Sequence, residues 1–148
     1  MALRRAGIAD APAIALLHRR VVRDCLPYLP DLHTAEEDLW FFTERFLPEH
    51  EVWVWEEGGI KAYCGFRRDW LDHLYVDRSA QGQGVGSALL DKAKSENSRL
   101  QLWVFQKNAA AIGFYEQHGF RLVETTDGAG NEEKEPDARY EWRRTGSN

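Results

Sequence analysis

One stretch constrains the fold of this chain most: an apolar segment runs into a glycine-rich turn and then into an amphipathic helical pattern. The apolar segment covers residues 70–76 and the turn residues 81–86, after which apolar residues recur at helical spacing. A second strongly apolar segment follows at residues 100–105. A strand, a crossover helix and a second strand place both strands parallel in one sheet, with a right-handed connection. We therefore expect these strands near the centre of a sheet covered by helices.

Two helices are predicted ahead of this unit, after a short strand at residues 3–6. Asp10 is a candidate N-cap for the first helix, because its short acidic side chain accepts hydrogen bonds from the N–H groups there. Thr34 and Glu37 have the spacing of a capping box and predict the start of the second helix. Pro48 predicts the end of that helix, because proline interrupts helical hydrogen bonding.

Two pairs of strands flank the crossover unit. Their segments are residues 51–55, 60–66, 120–124 and 139–143. Gly58 and Gly59 predict a two-residue turn in the first pair, and Asn108 and Gly119 predict the start and end of a helix before the second pair. The order β-α-α-β-β-β-α-β-α-β-β predicts an α/β fold with a mixed central sheet flanked by helices. We expect one domain over residues 1–148.

Charge and composition exclude several classes of function. The formal net charge of −5 repels nucleic acid phosphates and weakly favours a cationic partner such as an amine. The apolar runs are short, so we expect no membrane segment and no signal peptide, and hence a cytoplasmic protein. Cys25 and Cys64 are the only cysteines and are expected to stay reduced there. The histidines are scattered singly, which predicts no metal site.

The glycine-rich turn predicts a site for phosphate groups. Glycine lets backbone N–H groups approach a ligand, and the start of the following helix adds donors and a partial positive charge. A P-loop would need lysine in this turn, and none is present. A dinucleotide fingerprint would need G-x-G-x-x-G, whereas the spacing here is G-x-G-x-G. The third alternative is the signature Q/R-x-x-G-x-G/A, which Gln81, Gly84 and Gly86 match.

A second motif follows the second apolar strand. It consists of Asn108 at a helix start, Phe114 and Tyr115 near the helix end, and then Gly119 and Phe120. The two motifs resemble those of the GCN5-related N-acetyltransferase (GNAT) family, in the same order and on the same elements. The resemblance covers nearly the whole chain. It implies the acyl-CoA N-acyltransferase fold of that family, acetyl-CoA as co-substrate and no metal.

The resemblance also implies a set of coenzyme contacts. The strand at residues 70–76 splays from its parallel neighbour, and backbone groups at its end bind the pantetheine arm and polarise the thioester carbonyl. The glycine-rich turn holds the pyrophosphate through its backbone. The implied coenzyme-binding residues are Leu74, Tyr75, Val76, Gln81, Gly82, Gln83, Gly84, Val85, Gly86, Ser87, Asn108 and Tyr115.

Direct attack of a neutral amine on the thioester is the implied reaction, without a covalent enzyme intermediate. By the resemblance, Tyr115 points at the sulfur and protonates the departing thiolate. A base must take the amine proton. Many family members carry a glutamate on the central strand where this chain has Trp70. Asp72, two residues on, is the favoured base, and His73 on the opposite side of the strand is the alternative. Asp72 could instead be the structural partner of a nearby arginine.

The acceptor amine is expected between two loops, because the family binds it beside the loop after the first helix and the final hairpin. These loops cover residues 25–33 and 125–140. Tyr28, Asp72 and Asp127 are candidate acceptor contacts, and Asp127 also suits a turn-forming role. The hairpin loop is rich in carboxylates, which could receive a polyamine or a basic peptide or could form a solvated tip.

The prediction is an acetyl-CoA-dependent N-acetyltransferase that acetylates a primary amine on a small molecule or a protein. The alternative is a non-catalytic module that binds acyl-CoA as a sensor or regulatory subunit. Another acyl group, such as succinyl, is compatible with both motifs, because neither of them contacts the acyl group. Fold and coenzyme motif do not select an acceptor. For the oligomeric state, we expect either a monomer or a homodimer.

Overall fold

The computed structural model describes residues 2–145, and its centre is a mixed sheet of seven strands. The strands are β1 (Leu3–Arg5), β2 (Glu51–Glu56), β3 (Ile60–Arg67), β4 (Trp70–Val76), β5 (Arg99–Phe105), β6 (Arg121–Thr125) and β7 (Asp137–Arg143). They lie side by side in the order β1-β2-β3-β4-β5-β7-β6. β4 and β5 run parallel, and the other neighbouring strands described run antiparallel. The predicted α/β fold, with the crossover strands at the centre of the sheet, is confirmed.

Helices cover both faces of this sheet. They are α1 (Ala11–Cys25), α2 (Ala35–Phe41), α3 (Leu47–Glu49), α4 (Val85–Ser95) and α5 (Ala109–Gln117). The predicted capping box opens α2: Thr34 Oγ1 accepts from Glu37 N–H at 3.1 Å, and Glu37 Oε1 accepts from Thr34 N–H at 2.7 Å. Asn108 caps α5, since its Oδ1 accepts from Ala111 N–H at 3.2 Å. Gly119 follows α5 with φ of +90°, as predicted for a residue that ends a helix.

Two local predictions are wrong, and a third is confirmed only in position. Asp10 is the N-cap residue of α1, but its side chain makes no cap hydrogen bond and instead forms an ion pair with Arg4 at 2.9 Å. Pro48 does not end the second helix, because a π-helical turn (Phe42–Phe46) continues α2 into α3. Pro48 lies in the first turn of α3, a position that proline tolerates. The first hairpin has a loop of three residues, 57–59, instead of two.

The sheet carries one apolar core on each face. On one face α4 packs against the central strands, and Leu89 and Leu100 are fully buried there. On the other face α1 and the π-helical turn pack against β2 and β3, and Ile14, Phe42 and Tyr63 are buried among them. Burial of large apolar side chains on both faces holds the helices against the sheet.

The parallel pair separates towards its C-terminal ends. β4 and β5 are in register at Trp70 and Gln101, where Gln101 N–H donates to Asp69 O at 2.6 Å. Beyond this point β4 has no β5 partner in the described sheet, whereas β5 stays paired with β7 through Phe105. A gap therefore opens between the two central strands, beside the glycine-rich turn.

Candidate active site

The end of β4 presents backbone groups to the gap. Asp77 N–H donates to Lys61 O on β3 at 2.7 Å. Backbone groups alternate in direction along an antiparallel strand, so Tyr75 also directs its N–H towards β3. The N–H groups of Leu74 and Val76 then point into the gap. The sequence predicted backbone contacts for three residues. Leu74 and Val76 direct their N–H groups into the gap, whereas the N–H group of Tyr75 faces away from it.

The glycine-rich turn leads directly into α4. Gly82 and Gly84 have φ of +78° and +81°, and Gly84 is the N-cap of α4. A residue with a Cβ atom is strained at these positive φ values, so glycine permits the turn. The first N–H groups of α4 have no acceptor within the helix, which suits them to bind an anion. Gln81 Nε2 donates to Val76 O at 3.1 Å and ties the turn to β4.

Three predicted coenzyme ligands in this turn have side chains already engaged within the protein. The side chain of Val85 is buried in the core. Gln83 Nε2 donates to Ser79 O at 3.3 Å, and Ser87 Oγ is hydrogen-bonded to His118 Nε2 at 3.0 Å. A coenzyme role for these residues would therefore use their backbone N–H groups.

A pocket of about 330 Å³ lies between β4, the glycine-rich turn and α5. Tyr115 is on its wall and is 8% exposed. Burial raises the pKa of the Tyr115 hydroxyl, with smaller contributions from Tyr75 and Cys64, so this group is protonated at neutral pH. The predicted coenzyme-binding residues that line the pocket are Leu74, Tyr75, Val76, Gln81, Gly82, Gly86, Asn108 and Tyr115.

A second pocket, of about 390 Å³, adjoins the first. Leu26 and Tyr75 line both pockets, so the two cavities meet at these side chains. The loop after α1 and the loop between β6 and β7 form walls of the second pocket, where the acceptor was predicted to bind. Burial raises the pKa of Tyr75 to about 12, and Glu133 contributes to the shift. The charged residues on these walls include Arg19, Asp31, Asp38, Glu132 and Glu133.

None of the three predicted acceptor contacts lines this second pocket. Tyr28 has Lys107 Nζ 5.3 Å from its ring centre, and its hydroxyl is buried without a hydrogen-bond partner among residues 2–145. Burial raises the pKa of Tyr28, and Glu135 adds to the effect. Asp127 is exposed, and its Oδ1 accepts from Ala129 N–H at 2.9 Å. This hydrogen bond gives Asp127 the turn-forming role.

The third predicted acceptor contact, Asp72, lies at an irregularity of β4. The pairs Phe66–Leu71 and Gly65–His73 leave Asp72 between them as an extra residue, which is the pattern of a β-bulge. Regular alternation of side chains, on which the sequence prediction relied, fails at this point.

Asp72 and His73 contact the same group of side chains, so the prediction that they face opposite sides is wrong. Asp72 Oδ2 is hydrogen-bonded to His50 Nε2 at 2.7 Å, and His50 stacks on Phe46 with ring centres 4.2 Å apart. The His73 ring lies 4.3 Å from the same Phe46 ring. The partner of Asp72 is thus a histidine rather than an arginine.

A chain of three polar side chains was not identified from the sequence. His18 Nδ1 and Tyr63 OH are 2.9 Å apart, and Tyr63 OH and His73 Nδ1 are also 2.9 Å apart. His18 lines the second pocket. Burial lowers the pKa of His18 to about 4 and lowers the pKa of His73 well below its ordinary value. The three residues come from α1, β3 and β4 and form no local motif, so no sequence signal joins them.

Comparisons with known proteins identify the family of this chain. A family model described as an acetyltransferase (GNAT) domain matches residues 48–122, half of the chain. The peptidyl-lysine N-acetyltransferase YiaC of Escherichia coli is 32% identical over 104 residues, which cover 69% of this chain and 62% of YiaC. The chain thus spans less than two thirds of YiaC. The peptidyl-lysine N-acetyltransferase YjaB of Salmonella typhimurium is 29% identical over 127 residues, which cover 82% of this chain and 83% of YjaB.

A solved structure shares the fold over nearly the whole chain. It is the PaiA N-acetyltransferase from Thermoplasma acidophilum in complex with coenzyme A, with a TM-score of 0.77, 17% identity and coverage of 95% of this chain and 97% of that one. This likeness shows the fold. The matching family model defines the class of protein as acetyltransferases. Within that class, the chain belongs to the GNAT family of acetyltransferases.

Proposed function

We propose that this GNAT acetyltransferase acetylates a primary amine that carries a positive charge, and that a lysine side chain of a peptide is the acceptor class it fits best. The observation that carries the proposal is the meeting of two pockets at Leu26 and Tyr75, one beside the glycine-rich turn and the other lined by carboxylates. YiaC and YjaB are named as peptidyl-lysine N-acetyltransferases, which supports the same acceptor class. A small polyamine is the second candidate, because it presents the same charged group.

In this proposal acetyl-CoA occupies the pocket between β4 and α5. The N–H groups of Leu74 and Val76 bind the pantetheine arm, and one of them polarises the thioester carbonyl. The pyrophosphate binds the N–H groups at the start of α4, within residues 81–87. Asn108 borders the same pocket, which supports a contact with the coenzyme.

The chemistry is a direct transfer. The amine nitrogen forms a bond to the thioester carbon, the C–S bond breaks, and Tyr115 donates its proton to the departing thiolate. Burial raises the pKa of Tyr115, so its hydroxyl carries the proton at neutral pH when the thiolate departs. Asp72, the base predicted from the sequence, is hydrogen-bonded to His50 and lines neither pocket.

The second pocket, in which we place the acceptor, has one carboxylate that forms no ion pair among residues 2–145. Arg19 forms an ion pair with Asp38 at 2.7 Å, and His33 forms one with Glu132 at 3.0 Å. Glu133 makes no ion pair among the residues that the structure describes. It also contributes to the raised pKa of Tyr75, where the two pockets meet. We therefore assign Glu133 as the group that attracts the ammonium of the acceptor.

The test is acetylation of a peptide with one lysine, followed by thiol release from acetyl-CoA, beside a peptide with norleucine in place of lysine and beside spermidine. We expect Glu133→Gln to raise KM for the lysine peptide about threefold to fivefold, as loss of a partly exposed ion pair implies, with little change in KM for acetyl-CoA. Glu44→Gln is the matched control, because Glu44 is exposed and lines neither pocket.

Other outcomes of this test would reject parts of the proposal. Acetylation of spermidine without the lysine peptide would replace the peptide acceptor with a small polyamine. An unchanged KM in Glu133→Gln would remove Glu133 from the acceptor site. Tight binding of coenzyme A with no acetylation of any amine would favour the non-catalytic module.

The setting of the reaction is part of the proposal. Among residues 2–145 no helix combines the length and the apolar character needed to cross a bilayer. Both cysteines are free thiols, Cys25 partly exposed and Cys64 buried. We place the protein in the cytoplasm, where acetyl-CoA and reduced thiols occur together. It acts as one domain, as a monomer or a homodimer, without metal or nucleic acid.

A further inference from the structure

Hydrogen bonds join His18, on the wall of the second pocket, to Tyr63 and then to His73 on β4. Tyr63 lies between the two histidines and is fully buried. Its hydroxyl is 2.9 Å from Nδ1 of each ring. Residues 2–145 provide no hydrogen-bond partner for Nε2 of either ring. This series of hydrogen-bonded side chains therefore ends in the Nε2 atom of a histidine at both ends.

The hydrogen bonds fix how the protons are arranged. A tyrosine hydroxyl has one proton, so it donates to one histidine and accepts from Nδ1–H of the other. Two neutral rings on this hydroxyl must then hold opposite tautomers. One ring has a basic Nε2, and the other has an Nε2–H. Such a chain can take up a proton at one end while it releases a different proton at the other end.

The surroundings keep both rings neutral. Phe42, Phe46 and Tyr75 pack around them. Besides burial, Arg19 lowers and Asp38 raises the pKa of His18, whereas His50 lowers the pKa of His73. Neutral imidazole is the form that accepts a proton. A buried ring with a lowered pKa also does not retain the proton, so it passes it on.

We propose that His18 is a catalytic base of this enzyme and that Tyr63 and His73 carry the proton away from it. The inference rests on the proposed function, since it needs an amine in the second pocket. His18 lines that pocket, and its ring centre lies 5.0 Å from that of Tyr75, where the two pockets meet. Asp72 lines neither pocket and is hydrogen-bonded to His50. Geometry thus favours His18 over Asp72 as the group that meets the amine.

The proton balance of the step is complete. As the C–N bond forms, the nitrogen becomes positively charged and acidic, and one of its protons moves to His18 Nε2. The Nδ1 proton of His18 moves to the Tyr63 oxygen, and the Tyr63 proton moves to His73 Nδ1. His73, which is partly exposed, releases its Nε2 proton to solvent, and the reverse shift of protons through the three groups by exchange with solvent restores the starting tautomers before the next turnover. Tyr115 gives a proton to the sulfur and regains one from solvent. The ammonium of the acceptor loses one proton to solvent before the attack, so acetylation of the charged amine releases one proton overall, and attack by the neutral amine releases no other.

Two substitutions test this proposal with a lysine peptide as the acceptor. We expect His18→Gln to lower kcat about 100-fold, the size of a lost general base, with the Kd for coenzyme A within about twofold of wild type. Tyr63→Phe keeps the ring and removes only the hydroxyl, so we expect a smaller loss of about tenfold. Added imidazole should restore part of the activity of His18→Ala, which a purely structural role would not allow.

A measurement on the wild-type protein avoids the risk that these variants fail to fold. The ¹⁵N chemical shifts of the imidazole rings report tautomers, and we expect His18 protonated on Nδ1 and His73 on Nε2. The same tautomer on both rings would overturn the relay. So would folded His18→Gln with kcat within about twofold of wild type, or a loss confined to Asp72→Asn. Coenzyme binding without acetylation by the wild type would reject the proposed function itself, and the relay with it.

Discussion

Asp77 connects α1 to the turn that precedes the coenzyme-binding loop. Its Oδ1 accepts from Arg20 Nε at 2.7 Å, and its Oδ2 accepts from the N–H and the hydroxyl of Ser79. These hydrogen bonds, that of Ser79 first, lower the pKa of Asp77 to about 2. Because the folded pKa lies below the unfolded value of about 3.9, the ionised carboxylate stabilises the fold above that pH. The contribution is lost as the pH falls through about 2.

We predict that Asp77→Asn lowers the free energy of unfolding by about 1–2 kcal/mol at pH 7, a value reduced for the partial exposure of Arg20. The difference from wild type should shrink as the pH falls from 4 towards 2. Urea unfolding at several pH values measures it. Asp91→Asn is the control, because Asp91 is exposed on α4 and should give a small, pH-independent change. A difference for Asp77→Asn that does not vary with pH would contradict the prediction.

Tyr115 provides a second prediction for a single residue. Tyr115→Phe keeps the buried ring and removes the acidic proton, so kcat should fall about 100-fold while coenzyme A binds as before. Burial raises the pKa of Tyr115, and activity should therefore not decline through its ionisation below about pH 10. Thiol release gives kcat, and calorimetry gives the Kd. Tyr140→Phe is the control, since Tyr140 is also buried but lines neither pocket. An equal loss in both variants would indicate a packing effect.

The approach of the π-helical turn to β3 depends on Gly65. A Cβ atom at this position would lie 2.2 Å from Phe46 Cζ, far inside contact distance. Phe46 in turn packs against both His50 and His73. We predict that Gly65→Ala destabilises the protein by about 1–3 kcal/mol, as overpacked cores do, and also lowers kcat by displacing His73. Thermal unfolding and thiol release measure the two effects.

Gly130→Ala is the matched control for this substitution. A Cβ atom at Gly130 meets no atom within 4 Å, so the variant should resemble wild type. If Gly65→Ala destabilised the protein and left kcat unchanged, the Phe46 ring would have moved without affecting the relay. That result would separate packing at Gly65 from catalysis.

At the scale of elements, what the sequence predicted correctly is local. The capping box of Thr34 and Glu37, the N-cap Asn108 and the positive φ of Gly119 each depend on residues a few positions apart. The strand, turn and helix around Gly84 are also determined locally. These features were predictable because backbone hydrogen bonding and glycine conformation act over short distances.

What the sequence did not predict depends on contacts between distant segments. The bulge at Asp72 arises in the pairing of β4 with β3, so a rule of strict alternation along one strand assigned the wrong face. His18 and Tyr63 are 45 residues apart and meet only when α1 packs on the sheet. Tyr28 was predicted as a pocket wall from its loop, yet its ring lies next to Lys107. The strand, turn and helices around the first pocket could therefore be predicted from motifs, whereas the side-chain contacts around the second pocket could not.

At the scale of the whole molecule, the charge and the pocket act in the same direction. The formal net charge is −5, and four carboxylates lie on the wall of the second pocket. Asp31 and Asp38 form ion pairs with Arg19, and Glu132 forms one with His33, so much of the attraction for a cation is left to Glu133 and to the overall field. Interactions between exposed charges fall off over about 8–10 Å at moderate salt. This negative field should therefore attract the cationic acceptor and not the coenzyme.

We predict that KM for a lysine peptide rises several-fold when the ionic strength increases from about 0.02 to 0.2 M, because salt screens the attraction of the cationic peptide to the acidic pocket. The norleucine peptide should serve as a competitor whose inhibition constant changes little, since it lacks the ammonium. In Glu133→Gln the salt dependence of KM should become weaker, whereas in Glu44→Gln it should match wild type. Equal salt dependence in the two variants would show that the net charge of the molecule, and not the pocket, attracts the acceptor.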